Sequence, residues 1–131
     1  GRIAPYLIGI PLWSRWWMAM AVGCWPYARQ EPGMGASLRG VRAAHLLVAT
    51  MIAGLLSWTV LLGFGHAPLA AVCEACAMAT VAGFAGWAMA RQMAGKLGGL
   101  TGDTYGALCE LTETALLLAL LLASYQGWLV A

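Results

Sequence analysis

Residues 43–64 read AAHLLVATMIAGLLSWTVLLGF, a run of 22 residues that carries no formal charge. At about 1.5 Å per residue, a helix of this length crosses the roughly 30 Å hydrocarbon core of a bilayer. A second apolar run, residues 68–90, contains one charged residue, Glu74. The two runs predict neighbouring membrane helices, and the short glycine- and proline-containing segment around His66 predicts a tight hairpin between them.

The whole chain is far more apolar than a soluble domain. Of its 131 residues, 62% are hydrophobic and 9% are charged, whereas about a quarter of the residues in soluble domains are charged. We therefore expect an all-α, polytopic integral membrane protein embedded in the lipid bilayer. The net charge of +2 is small and dispersed, so we expect no nucleic-acid partner. The four cysteines lie in or beside apolar segments, and we predict no structural disulfide.

Working outward from these two runs, the sequence predicts about four transmembrane helices. Their expected ranges are about 12–25, 43–64, 68–90 and 105–130. We expect the first helix to be broken or kinked near Pro11, because proline removes a backbone donor and clashes with the preceding turn. Whether residues 1–12 cross the membrane is left open. The remaining connections are predicted as polar loops at residues 26–42 and 91–104.

The basic residues predict how the chain lies in the membrane. Five of them fall in the two long loops: Arg29, Arg39, Arg42, Arg91 and Lys96. The hairpin around His66 has none, so the positive-inside rule predicts that both loops face the cytoplasm. Arg15 lies within a cluster of tryptophans, and we expect its side chain to extend to the lipid headgroups.

Residues 98–113 read GGLTGDTYGALCELTE and hold three of the five acidic residues. Its glycines let the backbone approach a ligand closely, so we assign substrate binding to Gly99, Thr101 and Gly102. Asp103 is a candidate Mg²⁺ ligand, because Mg²⁺ is usually held by one or two carboxylates together with substrate phosphates. The alternative is that Asp103 caps the helix that follows.

Three other charged groups also have two interpretations each. Glu110 and Glu113 enter a membrane helix, where ionisable groups tend to face a bundle interior or an aqueous cavity; alternatively, they interact with the helix dipole at the interface. Arg29, followed by Gly33 and Gly35, is a candidate bidentate ligand for a phosphate group. Its alternative is an anchor to anionic lipid. We expect Glu74 to be a buried hydrogen-bonding residue.

Two groups of motifs, taken together and in this order, resemble the cobalamin synthase family, the adenosylcobinamide-GDP ribazoletransferases. The first comprises Ser14-Arg15-Trp16, Pro26-Tyr27-Ala28-Arg29 and Gly33-Met34-Gly35. The second comprises Gly98-Gly99-Leu100-Thr101-Gly102-Asp103, Gly106-Ala107 and Glu110-Leu111. The resemblance implies a membrane enzyme that transfers adenosylcobinamide phosphate from adenosylcobinamide-GDP to α-ribazole or its 5′-phosphate. It also implies release of GMP, a requirement for Mg²⁺ and a place at the last assembly step of vitamin B12.

By resemblance, the chain corresponds to the C-terminal half of that family. The family's earlier half carries the pattern Asp-Gly-x-Ala-Asp-x-x-Asp-Gly, which does not occur here. We therefore expect a fragment whose partner is the missing N-terminal half. Asp103, as a metal-binding and catalytic residue, and Glu110, as a catalytic residue, would then form part of a divided site.

Two alternatives remain open from the sequence. A CDP-alcohol-type phosphotransferase would use similar chemistry, but it also carries an aspartate-rich signature that is absent here. A small membrane transporter or non-enzymatic subunit would instead use Glu74, Glu110 and Glu113 to line a transport path.

Overall fold

A computed structural model describes residues 3–28 and 40–126. Within these ranges the chain forms four α-helices: α1 (Ala4–Cys24), α2 (Ala43–Gly63), α3 (Pro68–Leu97) and α4 (Gly102–Tyr125). The described residues contain no strand, and Tyr27 and Leu100 form an isolated parallel bridge. Helices α2, α3 and α4 are long and apolar enough to cross a membrane. The chain is an all-helical polytopic membrane protein, as the composition predicts.

Helix α1 lies at the centre of the bundle. It packs against α2, α3 and α4, and α3 also packs against α2 and α4. Eight of the 21 residues of α1 are buried, including Trp13 and Trp17, whereas α2 buries three. The outer surfaces of α2 and α4 carry large exposed apolar side chains such as Met51 and Leu121. Such surfaces suit contact with lipid. Helix α1 buries more residues than any of the other three helices, so the bundle is organised around it.

Helix α3 contacts its neighbours through small residues. Its buried residues are Ala71, Ala75, Ala82, Gly86 and Ala90. The indole ring of Trp17 lies directly against Gly86, so that a Cβ atom there would overlap the ring. In a membrane, where hydrophobicity does not drive helices together, close backbone approach of this kind provides the packing energy.

The first helix was predicted to begin near residue 12 and to be broken or kinked near Pro11. The predicted start is wrong, and the helix is not broken. Helix α1 begins at Ala4 and continues through Pro11 without interruption. An internal proline removes one backbone hydrogen bond, and α1 retains its other helical bonds and its contacts with three neighbouring helices. Membrane helices commonly tolerate proline, because neighbouring helices and side chains satisfy the backbone groups that it leaves unpaired.

The predicted loop at residues 91–104 is mostly helical. Helix α3 continues to Leu97, and α4 begins at Gly102, three residues earlier than expected. The basic residues after Ala90 mark the end of the apolar segment, but Arg and Lys are good helix formers. Helix α3 ends at Gly98, whose φ of 73° is left-handed, a conformation that favours glycine.

The predicted second helix and hairpin are confirmed. Helix α2 ends one residue before the expected Phe64, and the hairpin turns at Gly65, with φ of 87°. The last helix is described to Tyr125; residues 127–131, which the prediction partly included, lie outside the described residues.

Candidate active site

The two predicted loops meet at one end of the bundle. Ala28 N donates to Leu100 O at 2.8 Å, and Leu100 N donates to Pro26 O at 2.9 Å. Helix α1 ends at Cys24, two residues before Pro26, and α4 begins immediately after Thr101. These backbone bonds fix the end of α1 beside the turn between α3 and α4.

Gly99 is required for this contact. Its φ is 151°, and a Cβ atom there would lie 2.5 Å from Pro26 O and 3.0 Å from Ala28 N. A side chain at this position would therefore separate the two segments. Gly99 was predicted to bind substrate, and the structure gives it the additional role of joining the two loops.

Thr101 caps α4. Its Oγ1 accepts from Thr104 N at 3.4 Å, and its backbone N donates to Thr104 Oγ1 at 2.7 Å. Asp103 is therefore not the cap; it lies within the first turn, where the positive end of the helix dipole stabilises a carboxylate. Asp103 and Gly102 are both exposed. We call this end of the bundle, formed by residues 26–28 and 98–103, the mouth of the bundle. It presents a carboxylate beside a glycine that leaves space for a ligand.

Glu110 lies on the same face of α4 as Asp103. Seven residues are close to two helical turns, which places the two side chains about 10 Å apart along the helix axis. Glu110 is exposed. At this separation the two carboxylates are too far apart to coordinate one ion.

Glu113 faces α1 and is held there by several donors. Its Oε1 lies 2.9 Å from Ser14 Oγ and 2.8 Å from Arg15 Nη1. Cys109 Sγ is 3.9 Å from the same oxygen. The prediction that Arg15 reaches the headgroups is wrong, because a carboxylate on α4 is available to its guanidinium. Sequence reasoning missed this pair. The one signal in the sequence is that a single basic residue in α1 and acidic residues in α4 both lie within otherwise apolar helices.

Three predicted substrate-binding residues, Arg29, Gly33 and Gly35, lie outside the described residues. The chain enters that segment from Ala28, whose backbone is bonded to Leu100.

Glu74 lies toward the opposite end of the bundle. Its Oε1 is 3.2 Å and its Oε2 is 2.9 Å from His66 Nδ1, and the His66 ring contacts Tyr6 edge-on. Tyr6 and Glu74 border a mostly apolar cavity of about 360 Å³ between α1, α3 and α4. Glu74 is thus a hydrogen-bonding residue with His66 as a partner, as expected, but it is partly exposed and not buried.

The described residues contain no group of three or more His, Cys, Asp or Glu side chains that could hold a metal ion. The four cysteines are free thiols. For Mg²⁺, the mouth of the bundle offers one exposed carboxylate, that of Asp103. This donor set fits an ion that takes most of its other ligands from substrate phosphates and water.

Comparisons with known proteins match nearly the whole chain to one family, described as cobalamin-5-phosphate synthase, over residues 2–121. An adenosylcobinamide-GDP ribazoletransferase of Desulforamulus reducens is 38% identical over 114 residues, which are 86% of this chain and 41% of that protein. The protein of the same name from Pseudomonas aeruginosa is 42% identical over 99 residues, or 74% of this chain and 35% of the relative.

A third such relative, from Syntrophobacter fumaroxidans, is 36% identical over 120 residues, covering 91% of this chain and 44% of that protein. The chain thus spans less than half the length of these relatives. No solved structure matches it. With the family match extending from residue 2 to residue 121, the chain belongs to the cobalamin-5-phosphate synthase family.

Proposed function

We propose that the protein containing this chain transfers adenosylcobinamide phosphate from adenosylcobinamide-GDP to α-ribazole or its 5′-phosphate and releases GMP. The names of its relatives supply the substrate and the ribazole acceptor. The structural observation that supports the proposal is the backbone pairing of Pro26–Ala28 with Leu100. This pairing brings the segment that leads into Arg29 next to the turn that carries Asp103.

The reaction requires a hydroxyl oxygen of the acceptor to attack the phosphorus atom attached to cobinamide. The bond from that phosphorus to the bridging oxygen breaks, GMP leaves with the electron pair, and the acceptor hydroxyl loses its proton. A site for this reaction has to neutralise a diphosphate and to orient a hydroxyl group. The exposed carboxylates of Asp103 and Glu110 suit these two tasks.

Asp103 would supply one ligand to Mg²⁺, which neutralises diphosphate charge when bound. Glu110, about 10 Å further along the same helix face, would orient the acceptor hydroxyl and accept its proton. Arg29, Gly33 and Gly35 would contact the phosphate of the GMP portion, together with the backbone around Gly99, Thr101 and Gly102.

The remaining ligands would come from the part of the protein that corresponds to the unmatched portion of the relatives. Because the chain spans 41% of the Desulforamulus reducens protein, this N-terminal portion is the proposed partner that completes the site. Asp103 and Glu110 are the components that this chain would contribute.

The protein would lie in the cytoplasmic membrane of a bacterium or archaeon, with the mouth of the bundle facing the cytoplasm. Arg42 and Lys96 are at or near this end, and the His66 hairpin has no Lys or Arg. A nucleotide-linked substrate would then reach the site directly from the cytoplasm.

The proposal is tested with a chimera in which this chain replaces the matched region of the Desulforamulus reducens relative. We expect Mg²⁺-dependent release of GMP from adenosylcobinamide-GDP and α-ribazole. Asp103→Asn should lower the rate at least 100-fold, because the neutral amide is a poor Mg²⁺ ligand. Glu74→Gln, which removes a carboxylate at the other end of the bundle, is the matched control and should retain activity.

The chimera and both variants are first compared for insertion and for elution as a single species in detergent. A folded chimera that releases no GMP would contradict the proposed activity. An active chimera whose turnover is equal with Asn or Asp at position 103 would remove Asp103 from the site.

A further inference from the structure

Three consecutive residues of α1 have three different surroundings. Successive residues of a helix are about 100° apart around its axis. Ser14 faces α4, where its Oγ lies 2.9 Å from Glu113 Oε1. Trp16 faces α2, where its Nε1 donates to Thr50 Oγ1 at 2.9 Å. Arg15 therefore lies between the direction of α4 and the direction of α2.

The opposite side of α1 is covered by α3. Trp17, about 200° around the axis from Arg15, lies directly against Gly86 of α3. Helix α1 thus has a neighbouring helix in three directions. In the fourth direction the Arg15 side chain is 61% exposed, and Ile8, about two turns earlier on the same side, is 50% exposed. We call this side of α1, marked by Ile8 and Arg15, the open side.

The open side carries its charge at the middle of the bundle. Helix α1 runs the full length of the bundle, because Tyr6 contacts His66 at the hairpin end and Ala28 bonds to Leu100 at the mouth. Arg15 is the twelfth of the 21 residues of α1. It is therefore about 16 Å from the start of the helix. Lipid tails occupy this depth in a bilayer whose hydrocarbon core is about 30 Å thick.

The Arg15 guanidinium stays at this depth. Its Nη1 donates to Pro11 O, one turn back along α1, at 3.0 Å and to Glu113 Oε1 at 2.8 Å. The N–H groups of Nη2 and Nε have no hydrogen-bond acceptor among residues 3–28 and 40–126. Contact of an arginine with lipid near the bilayer centre is unfavourable, and such groups normally face protein or a water-filled cavity. The open side is therefore a poor lipid-facing surface.

The rest of the open side is apolar. Ile8 and Leu12 precede Arg15 on this side, and Ala19 and Val22 follow it. Leu12, Ala19 and Val22 are half-exposed. An apolar surface with a single charge at its centre suits another membrane helix better than it suits water, and the small Ala19 side chain allows a helix to approach closely.

We infer that the open side of α1 packs against a membrane helix from the N-terminal portion of the complete protein, and that this helix supplies an uncharged oxygen acceptor to Arg15. The inference rests on the proposed function, which places this chain in a protein that has such a portion. Because Glu113 already balances the charge of Arg15, a hydroxyl, amide or backbone carbonyl oxygen is sufficient for the remaining N–H groups.

The length of the relatives favours this neighbour over a second copy of the chain. The chain spans 41% of the Desulforamulus reducens protein, so more than half of that protein is available to cover the open side. A segment joined to the same polypeptide is present at a high effective concentration, whereas a second copy has to be recruited from the membrane.

The neighbour of the open side is identified by photo-crosslinking in the chimera, a measurement that does not require activity. A photoreactive benzoylphenylalanine replaces Ile8 or, as the control, Leu55. Leu55 is 59% exposed and lies about 200° from the buried Ser57, on the outer side of α2. Position 8 should crosslink to the N-terminal portion of the same polypeptide in about fivefold higher yield than position 55, because packed helices keep their side chains in contact.

Each other result at position 8 would overturn the inference. A crosslinked species of twice the mass would identify a second copy as the neighbour. A yield to the N-terminal portion no higher than that from position 55 would leave the open side without a protein neighbour.

The contribution of Arg15 is tested with the same crosslink. Arg15→Met removes the donors and keeps a long side chain, and it should lower the yield from position 8 about threefold, since charge-assisted hydrogen bonds are the strong ones. Arg15→Lys, which retains a charged donor, should lower it less. Glu113→Gln leaves the donors of Arg15 in place and should retain the yield. An unchanged yield in Arg15→Met, in a chimera that elutes as a single species, would remove Arg15 from the interface.

Crosslinking and release of GMP distinguish this inference from the proposed function. A chimera that crosslinks from position 8 as expected but releases no GMP would contradict the proposed activity and leave the interface intact. An active chimera without that crosslink would overturn the interface alone.

Discussion

At the scale of single residues, the polar side chains buried between helices differ in whether the bundle gives them a partner. Ser14 is fully buried on α1 and hydrogen-bonds across the bundle to Glu113. Ser57 is buried on α2, and its Oγ has no hydrogen-bond partner among residues 3–28 and 40–126. Because a buried hydroxyl stabilises a protein only when it is paired, replacing these two serines should have different consequences.

We expect Ser14→Ala to destabilise the protein by about 1–3 kcal/mol, the usual range for a hydrogen bond to a charged group. Ser57→Ala should be neutral or slightly stabilising, because it removes an unpaired polar atom. The two variants delete the same atom, so they control for each other. Thermal unfolding in detergent, followed by size-exclusion chromatography, measures the difference. Equal melting temperatures would mean that Ser14 does not support Glu113.

At the scale of the helices, α1 and α3 fit together because, at two places, a large side chain of one helix lies against a glycine of the other. Trp17 lies on Gly86, and Met78 lies near Gly9, where a Cβ atom would be 2.6 Å from the methionine methyl group. A flexible methionine end can move away at little cost. A buried indole ring cannot, so the Gly86 contact is the more demanding of the two.

Gly86→Ala should therefore lower stability by about 1–3 kcal/mol, as overpacking of a closely fitted core does. Gly83→Ala is the matched control: Gly83 is in the same helix, and a Cβ atom there would meet nothing within 4 Å. The control should be stabilised by about 1 kcal/mol, since alanine is the better helix former. Unfolding midpoints in the same detergent provide the comparison, and a loss in Gly83→Ala equal to that in Gly86→Ala would contradict it.

The sequence predicts the elements better than it predicts how they are joined. A long run of residues without a charge identifies α2, and the small residues of α3 are of the type that lets membrane helices pack closely. The end of α3 was misplaced because Arg91 marks where the apolar segment ends, and a helix can continue beyond that point. For α1, Pro11 predicted a break, but the three neighbouring helices that keep the helix intact come from distant parts of the chain.

For the candidate site, too, the sequence predicts the local residues better than the contacts between distant parts of the chain. The glycines and carboxylates of residues 98–113 indicate a site locally, since their types and spacing are visible in one stretch. The pairing of Glu113 with Arg15 joins residues 98 positions apart, and no local pattern specifies that contact. The bonds between Leu100 and Pro26–Ala28 are equally long-range. Such contacts depend on how α1 lies against α4, which only the assembled bundle determines.

At the scale of the whole molecule, the bundle has two different ends. One end joins α1 to the turn between α3 and α4 and carries Asp103. The other end is the His66 hairpin, where His66 and Glu74 lie within 3.2 Å of each other. The proposed reaction consumes a nucleotide-linked substrate, so the first end has to face the compartment that contains nucleotides.

This orientation can be measured with single cysteines at exposed positions of the two ends, in a background without other cysteines. Ala67→Cys marks the hairpin end, and Lys96→Cys marks the mouth. In intact cells a membrane-impermeant thiol reagent should label Ala67→Cys, whereas Lys96→Cys should be labelled only after the cells are opened, because positively charged segments are retained in the cytoplasm. The opposite pattern would place Asp103 outside the cell, where the proposed substrate could not reach it from the cytoplasm.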